Sequence, residues 1–436
     1  MSPSTLAVSK TRQVVAAVVG NALEWYDFIV YGFLAGFIAR QFFPAEDEYT
    51  SLLMALATFG VGFFMRPVGG VLLGVYADRK GRKAAMLVII QLMTLAIAMI
   101  VFAPNYAAIG LGAPLLIVVA RMLQGFATGG EYASSTAFLV ESAPAHKKGL
   151  YGSWQLVGQC LAVFCGAAMA AAVTHFFAPQ TLELWGWRLP FVFGLLIGPL
   201  GLWIRKYMEE PQAFVEARRQ VRGNGPGLWQ VVSTYRRAIL VSMGLCCGGT
   251  VSFYVVLVSM PTFAHSNLGL PLDQVLLVQM FAVALMTLVI PFAGALSDRL
   301  GRRPVLMGFT LVFFIMVYPL YVWVAAAPSI ERLLLMQILL CSAIGGYFGP
   351  GPTALAEQFP IEVRSTGVSV AYNVTVMLFG GFAPLIVTWL SKAMATPVAP
   401  SFYVLLTSLV SLLGIYYMHD AVRDSKALSM PLGGEL

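Results

Sequence analysis

Charge is what this chain has least of. Aspartate, glutamate, lysine and arginine make up 11% of its 436 residues, against about a quarter in an average soluble domain. That scarcity excludes an ordinary water-soluble domain. The five cysteines, Cys160, Cys165, Cys246, Cys247 and Cys341, are odd in number and lie inside apolar runs, with no zinc-type spacing to histidine. They read as small buried side chains rather than ligands. The four histidines, His146, His175, His265 and His419, fall at the ends of apolar runs or in loops, so no metal site is expected. There is no phosphate-cradling P-loop, no nucleotide-binding domain and no nucleophile elbow, which excludes a machine driven by nucleotide hydrolysis. A membrane-embedded enzyme needs a cluster of His, Asp and Glu that is missing.

What is present is apolar. Hydrophobic residues make up 59% of the chain, and runs of about 20 of them recur along its length, each long enough to cross a bilayer. We read twelve spans, near 14–43, 51–76, 84–103, 114–142, 150–178, 188–207, 236–265, 272–297, 304–326, 331–358, 366–392 and 399–420. The first follows the tail MSPSTLAVSKTRQ and carries Glu24 and Asp27. It has neither the clean apolar stretch nor the small-residue cleavage site of a secretory signal, and is read as a retained helix.

The net charge of +7 fits membrane orientation better than nucleic acid. Lysine and arginine number 21 on one side of the twelve spans, and the other side has only Arg40, Arg188, Arg332 and Lys392. Basic residues mark the cytoplasmic face, so both termini and the polar linker 208–235 are expected there. The linker carries a Gly-Asn-Gly-Pro-Gly break and separates a bundle at 1–207 from a bundle at 236–436. Arg66 and Arg121 are the two basic residues that fall within spans.

The chain builds the same charged turn twice. GVYADRKGRK starts at Gly74, and GALSDRLGRR starts at Gly294, 220 residues further on. A second pair follows nearly the same offset. Span four ends in Glu141-Ser-Ala-Pro144 with Lys148 four residues on, and span ten in Glu357-Gln-Phe-Pro360 with Arg364. Two motifs at one offset indicate a parallel duplication of six spans, an architecture of transporters with the site between the halves.

With these residues in view, the doubled G-x-x-x-D-R-x-G-R-[KR] turn resembles the signature of the major facilitator superfamily, along the whole chain. Further stretches resemble the metabolite:proton symporter family within it. These are Gly20-Asn21-Ala-Leu-Glu24-Trp25-Tyr26-Asp27, Met65-Arg66-Pro67, Arg121-Met-Leu-Gln124-Gly125 continuing to Gly129-Gly130-Glu131-Tyr132, and Trp185-Gly-Trp187-Arg188. The resemblance implies an all-α membrane protein of two pseudo-symmetric six-helix bundles, in the inner membrane of a bacterium, working by alternating access. FFPAEDEY after span one and RRPVLMG at span nine look most like citrate and tricarboxylate members. The runner-up is a zwitterionic compatible solute such as proline or betaine, or a shikimate-like acid. The chain ends soon after span twelve, without the long coiled coil frequent in osmosensing members. The expected partners are a small organic anion, protons and the bilayer, with no nucleic acid; the proton is the coupling ion, no further cofactor is expected, and a monomer suffices.

Asp78 and Asp298 can face the positive N-terminus of a neighbouring helix. Arg82 and Arg302 can pair with carboxylates at other helix ends, of which Glu141 and Glu357 are the natural partners. In the superfamily such groups latch the cytoplasmic side. A solvated basic loop is the plainer reading.

Ionisable residues inside spans are the functional candidates: Glu24, Asp27, Arg66, Arg121 and Glu131. On a continuous helix, Arg121, Gln124, Thr128 and Glu131 share an arc of about 80°, and Asn21, Glu24, Asp27 and Tyr31 one of about 120°. Such polar stripes line a pore. Arg121 is the best substrate ligand, since a guanidinium holds a carboxylate with two hydrogen bonds; its competing role is a fixed pair with Glu131 or Glu24. Arg66 either braces Asp27 or another acid or takes part in binding. Three acids face two arginines, and desolvation raises a carboxyl pKa, so one of Glu24, Asp27 and Glu131 is expected to carry the proton. The second half has no charge deep in its spans. It offers hydrogen bonds from Tyr254, Gln337, Tyr372 and Asn373 among others. The glycine-proline run Gly345–Pro352 either kinks span ten or serves close packing.

Overall fold

The computed structural model describes residues 10–80, 82–206 and 227–420. Within them the side chains of 10–17, 20, 24, 74, 75, 77–80, 82–86, 196, 197 and 200–206 lie outside the description. Most of the linker, and the candidates Glu24, Asp78 and Arg82, therefore stay as sequence readings.

Every regular element among the described residues is helical. The helices Glu48–Lys80, Arg82–Val101, Lys148–Phe176, Leu189–Lys206, Leu272–Leu300, Arg302–Ala326 and Ala399–Tyr417 form spans two, three, five, six, eight, nine and twelve. Their bounds agree with the hydropathy reading to within a few residues. Large apolar side chains such as Leu72, Leu115, Leu288, Phe292, Leu406 and Leu413 are exposed on the outside of the bundle, as a lipid-facing surface requires. Asp47 begins span two by accepting the Thr50 N–H at 3.0 Å and its hydroxyl at 2.7 Å, an N-terminal cap. Those bonds favour the ionised form and hold the Asp47 carboxyl below its usual range.

The other five spans are not simple rods. Span one bends by 67° between the helix ending at Phe33 and Ala35–Phe42. Span four is two segments, Gly112–Thr128 and Glu131–Glu141, interrupted at Gly129 and Gly130. Both glycines keep right-handed helical dihedrals, and Gly112–Glu141 runs on as one span, so Glu131 follows Arg121 along it. Span ten breaks between Ile330–Phe348 and Gly351–Ala356, where Pro350 has no N–H to continue the ladder.

Spans seven and eleven each contain a π-helical stretch. In span seven Phe253–Ser259 lies between Arg236–Ser252 and Met260–Leu268. In span eleven Val376–Gly380 lies between Arg364–Thr375 and Ala383–Ala393. The widened turns satisfy themselves: Ser259 Oγ donates to the Tyr254 carbonyl at 2.7 Å, and Gly381 N to that of Val376 at 2.8 Å. Such bulges sit mostly at functional sites.

Backbones touch where glycine permits. A Cβ on Gly125 would strike the Gly62 carbonyl, so spans two and four cross backbone against backbone. A Cβ on Gly149 would lie 2.5 Å from the Gly294 carbonyl, where span five meets span eight across the two halves. Close crossing through small residues is the usual packing device within a bilayer. The end of the bundle holding Arg302, Glu357 and Arg364 is termed the base. The end holding Arg40, Asp273 and Lys392 is the rim.

Candidate functional site

Span four places Arg121 at the centre, with no exposed surface. Its Nη1 donates to Oε1 of Gln124, one turn on, at 2.6 Å. Its Nε and Nη2 have no partner. Aromatic rings surround it instead: Phe28 at 4.4 Å, Tyr31 at 4.5 Å and Phe59 at 5.1 Å from the guanidinium carbon. The Tyr31 hydroxyl is turned to the Ala55 carbonyl, 3.1 Å away. Arg66, equally buried, lies 4.6 Å from the Phe63 ring, 4.9 Å from Trp25 and 5.2 Å from Phe28. Its Nε is likewise unpartnered. The two guanidinium groups thus share Phe28.

Rings attract such a cation by about 0.5–2 kcal/mol each. Removing a charge from water costs several kcal/mol even after relaxation. The rings offset only part of that cost, and the unused N–H groups point to an anion as the missing partner.

Asp27 is 1% exposed, and neither of its oxygens has a hydrogen-bond partner. It presses against span six at Gly194, where a Cβ would collide with Oδ1. Among the described residues no ion pair joins it to Arg66; the side chain of Glu24, the other acid of span one, lies outside the described residues. Asn21 spends its amide on span five: Nδ2 donates to the Gln155 carbonyl at 2.8 Å.

From the other half, Tyr254 stands in the π-helical stretch of span seven. Its ring packs on Phe63 at 5.4 Å and Phe59 at 6.1 Å, and its hydroxyl has no partner. Gln337 donates from Nε2 to the Val256 carbonyl at 3.1 Å and to Gln279 Oε1 at 2.9 Å, a network within its own half. Tyr372 stacks on Tyr132 at 3.6 Å between centroids. Asn373 Nδ2 donates to the Gly129 carbonyl at 2.6 Å.

A cavity of about 50 Å³ lies between the halves, lined by Trp25, Tyr132, Gln159, Thr250, Tyr254 and Tyr372 among others. Gln159 escaped the sequence reading. It is 2% exposed and its Nε2 has no partner. A glutamine one turn beyond Gln155, in an otherwise apolar span, was the available signal. Tyr132 and Trp25 stood inside quoted motifs without an assigned role.

The base is held by ion pairs. Arg302, 1% exposed, pairs with Asp298 at 2.7 Å and with Glu357 at 3.3 Å. Asp298 also accepts the backbone N–H groups of Gly149 at 2.8 Å and Leu150 at 3.0 Å, so it caps span five of the opposite half. Glu141 pairs with Arg364 across the halves at 3.1 Å. The sequence reading allotted Glu141 and Glu357 to Arg82 and Arg302. The structure pairs Glu357 with Arg302 and joins Glu141 to Arg364 at the start of span eleven, while the side chain of Arg82 lies outside the described residues.

The rim is joined as well. His175 faces Asp273 at 3.4 Å, and Lys392 lies 3.7 Å from the Tyr49 ring centroid. A buried polar centre with the halves joined at both ends suits a solute that passes by alternate opening of the two sides.

The comparisons fit this geometry. A family model described as sugar (and other) transporter matches residues 13–222 and again 202–422. A citrate-proton symporter of Klebsiella pneumoniae is 37% identical over 421 residues, 95% of this chain and 93% of that one. A citrate-proton symporter of Salmonella typhi is 35% identical, covering 94% of each chain. A proline/betaine transporter of Escherichia coli (strain K12) is 31% identical over 95% of this chain and 85% of its own. The crystal structure of a D-xylose-proton symporter superposes with a TM-score of 0.74 at 17% identity, over 94% of this chain and 98% of that one, a likeness of fold.

Proposed function

With membership of the sugar (and other) transporter family, within the major facilitator superfamily, as the premise, we propose that this chain imports a small organic anion, citrate or a related di- or tricarboxylate, together with protons. It is a multi-pass membrane transporter and not an enzyme. The observation that carries the substrate class is Arg121, a fully buried guanidinium with two N–H-bearing nitrogens unpartnered. A carboxylate supplies the two acceptors that such a fork takes. Arg66, behind the shared Phe28, receives a second carboxylate. Gln124, Gln159 and Tyr254 supply hydrogen bonds to the remaining oxygens.

The cavity of about 50 Å³ is on the order of one or two waters at ~30 Å³ each. A tricarboxylate enters only when the halves part. The base, with its excess of lysine and arginine, faces the cytoplasm of a bacterial cell, and both termini lie on that side. The latch of Arg302, Asp298 and Glu357 keeps it shut while the rim opens. One or more of Asp27, Glu24 and Glu131 carries the proton, no further cofactor enters the cycle, and one chain is the working unit.

The test is uptake into vesicles holding the purified protein, with an imposed inward proton gradient. Citrate or a close analogue accumulates, and dissipating the gradient abolishes accumulation. Accumulation of betaine or proline, with carboxylates ignored, would overturn the substrate class and favour the compatible-solute reading that the relatives at 31% identity support.

A further inference from the structure

Pro261 stands in span seven just beyond its π-helical stretch, Phe253–Ser259. In a π register the carbonyl of residue 256 accepts from residue 261, and proline has no N–H to give. The Val256 carbonyl is therefore denied that partner. Span ten supplies one from outside the helix: Gln337 Nε2 donates to it at 3.1 Å. The same Nε2 donates to Oε1 of Gln279, on span eight, at 2.9 Å, and the Gln337 oxygen accepts from Cys341 Sγ at 3.6 Å. Gln337 and Gln279 are each 1% exposed.

Tyr254, two residues before Val256, rides on the same stretch. Ser259 Oγ donates to its carbonyl at 2.7 Å. Its ring meets Phe59 and Phe63 edge-on, and a Cβ on Gly380 of span eleven would lie 2.8 Å from it. Phe59 and Phe63 are rings that Arg121 and Arg66 lie over. The Tyr254 hydroxyl is unpartnered, and the residue lines the cavity between the halves. Its place depends on the turn staying wide. In an α register the Val256 carbonyl would take the N–H of Met260, four residues on, and removing one residue from the turn rotates what precedes it by on the order of 100°. A carbonyl left empty favours that change, because a buried acceptor without a donor is costly.

We infer that Gln337, clamped by Gln279, is a positioning residue: by occupying the Val256 carbonyl it keeps the π-helical turn of span seven wide, and through that turn it sets the Tyr254 hydroxyl at the substrate site. Gln337 is not itself a substrate ligand. Its amide nitrogen and its oxygen are both engaged within the second half, and it is not among the described residues that line the cavity. Pro261 makes the clamp necessary, since a residue with an N–H at that position would satisfy Val256 from within the span. The inference rests on the reading that Tyr254 gives a hydrogen bond to the bound carboxylate.

The position of Tyr254 is read without substrate. 3-Fluorotyrosine is incorporated in place of Tyr254 in the full chain in detergent, and its fluorine resonance is followed by NMR. Gln337→Met keeps the length of the side chain and removes its donors. It is expected to move or split the resonance by more than its linewidth. Gln279→Met, which loosens only the clamp, is expected to move it in the same direction and less. A resonance that stays in place in Gln337→Met overturns the inference. Should that variant fail to insert, Gln279→Met decides, and an unmoved resonance there overturns it.

Citrate binding, measured by calorimetry, separates positioning from direct contact. Tyr254→Phe and Gln337→Met are each expected to weaken binding about tenfold, the loss of one hydrogen bond to a charged group. The double variant is expected to bind no more weakly than either alone, since Gln337 acts through the hydroxyl that Tyr254→Phe has already removed. Losses that multiply to about a hundredfold in the double variant overturn the inference, because Gln337 then acts on the substrate by a separate route. A parent protein that does not bind citrate refutes the substrate class, and the fluorine resonance still decides whether Gln337 positions Tyr254.

Discussion

The carboxylate of Asp298 accepts the backbone N–H of Gly149 at 2.8 Å, across the boundary between the two six-helix halves. The same carboxylate takes Arg302 on its own half at 2.7 Å. One side chain therefore neutralises a cation in one bundle while capping a helix in the other, where the macrodipole favours a negative charge. Parting the halves at the base exposes both donors at once.

Burial ranks the ion pairs of the base. Arg302 is 1% exposed with partners at 7% and 8%, whereas Glu141 is 43% exposed beside Arg364. Removing one member of a buried pair costs about 3–5 kcal/mol, while an exposed pair contributes about 1 kcal/mol or less. Arg302→Ala is therefore expected to lower the thermal unfolding midpoint in detergent clearly, and Glu141→Ala hardly. Equal shifts would refute this ranking. Asp298→Ala is expected to weaken the base-closed state and cut transport while the protein still inserts, read as faster cysteine labelling from the base.

Arg121 supplies the second prediction. Arg121→Lys keeps the charge but loses the planar fork, and each hydrogen bond to a charged group is worth about 1.5–3 kcal/mol. Binding of the carboxylate, measured by calorimetry, should weaken by roughly ten- to a hundredfold. Arg121→Ala should not transport. Affinity near wild type in Arg121→Ala would demote the residue to a structural cation held by Phe28, Tyr31 and Phe59.

The twelve spans were legible because a bilayer demands long apolar runs, and the duplicated motifs gave the Arg302–Glu357 pairing. The pairing of Glu141 with Arg364 was not legible. Arg364 stood in the duplicated Glu-x-x-Pro motif, but motif spacing within one half says nothing about which helix end of the other half lies opposite. The π-helical turn that carries Tyr254 was also hidden, since one extra residue per turn leaves hydropathy unchanged. Gly129 packs closely, since a Cβ there would strike the Arg66 carbonyl, and the regular hydrogen bonding of span four is interrupted at Gly129 and Gly130 while both keep helical dihedrals. Gln124 was rightly grouped with Arg121, because the segment up to Thr128 is regular.

Close packing gives a third prediction. The Gly125 position faces the Gly62 carbonyl with no room for a methyl group, and backbone cannot rotate aside as a side chain can. Gly125→Ala forces spans two and four apart, an overpacking cost of about 1–3 kcal/mol or more. Arg66 and Arg121 ride on these two spans, so their spacing changes as well. A lower unfolding midpoint and weaker carboxylate binding are expected together. A Gly125→Ala protein with both properties unchanged would show that the crossing tolerates separation.

The last prediction concerns the proton. Asp27 is buried with both oxygens unpartnered, and among the described residues no ion pair ties it to Arg66 or Arg121. An acid that cycles its proton is needed for uphill accumulation and not for every binding event. Its amide variant imitates the protonated form permanently. Asp27→Asn is therefore expected to abolish accumulation driven by a pH gradient while substrate exchange without a gradient survives. Glu24→Gln and Glu131→Gln are assayed in the same two ways. An acid that serves only as a fixed partner of a buried cation should lose both activities together, because its removal leaves a charge unpaired in the membrane. Exchange and accumulation lost in parallel for Asp27→Asn would move the coupling role to Glu24 or Glu131. If all three amide variants still accumulated substrate against its gradient, the carrier would be a uniporter or coupled to another ion, and proton symport would be excluded.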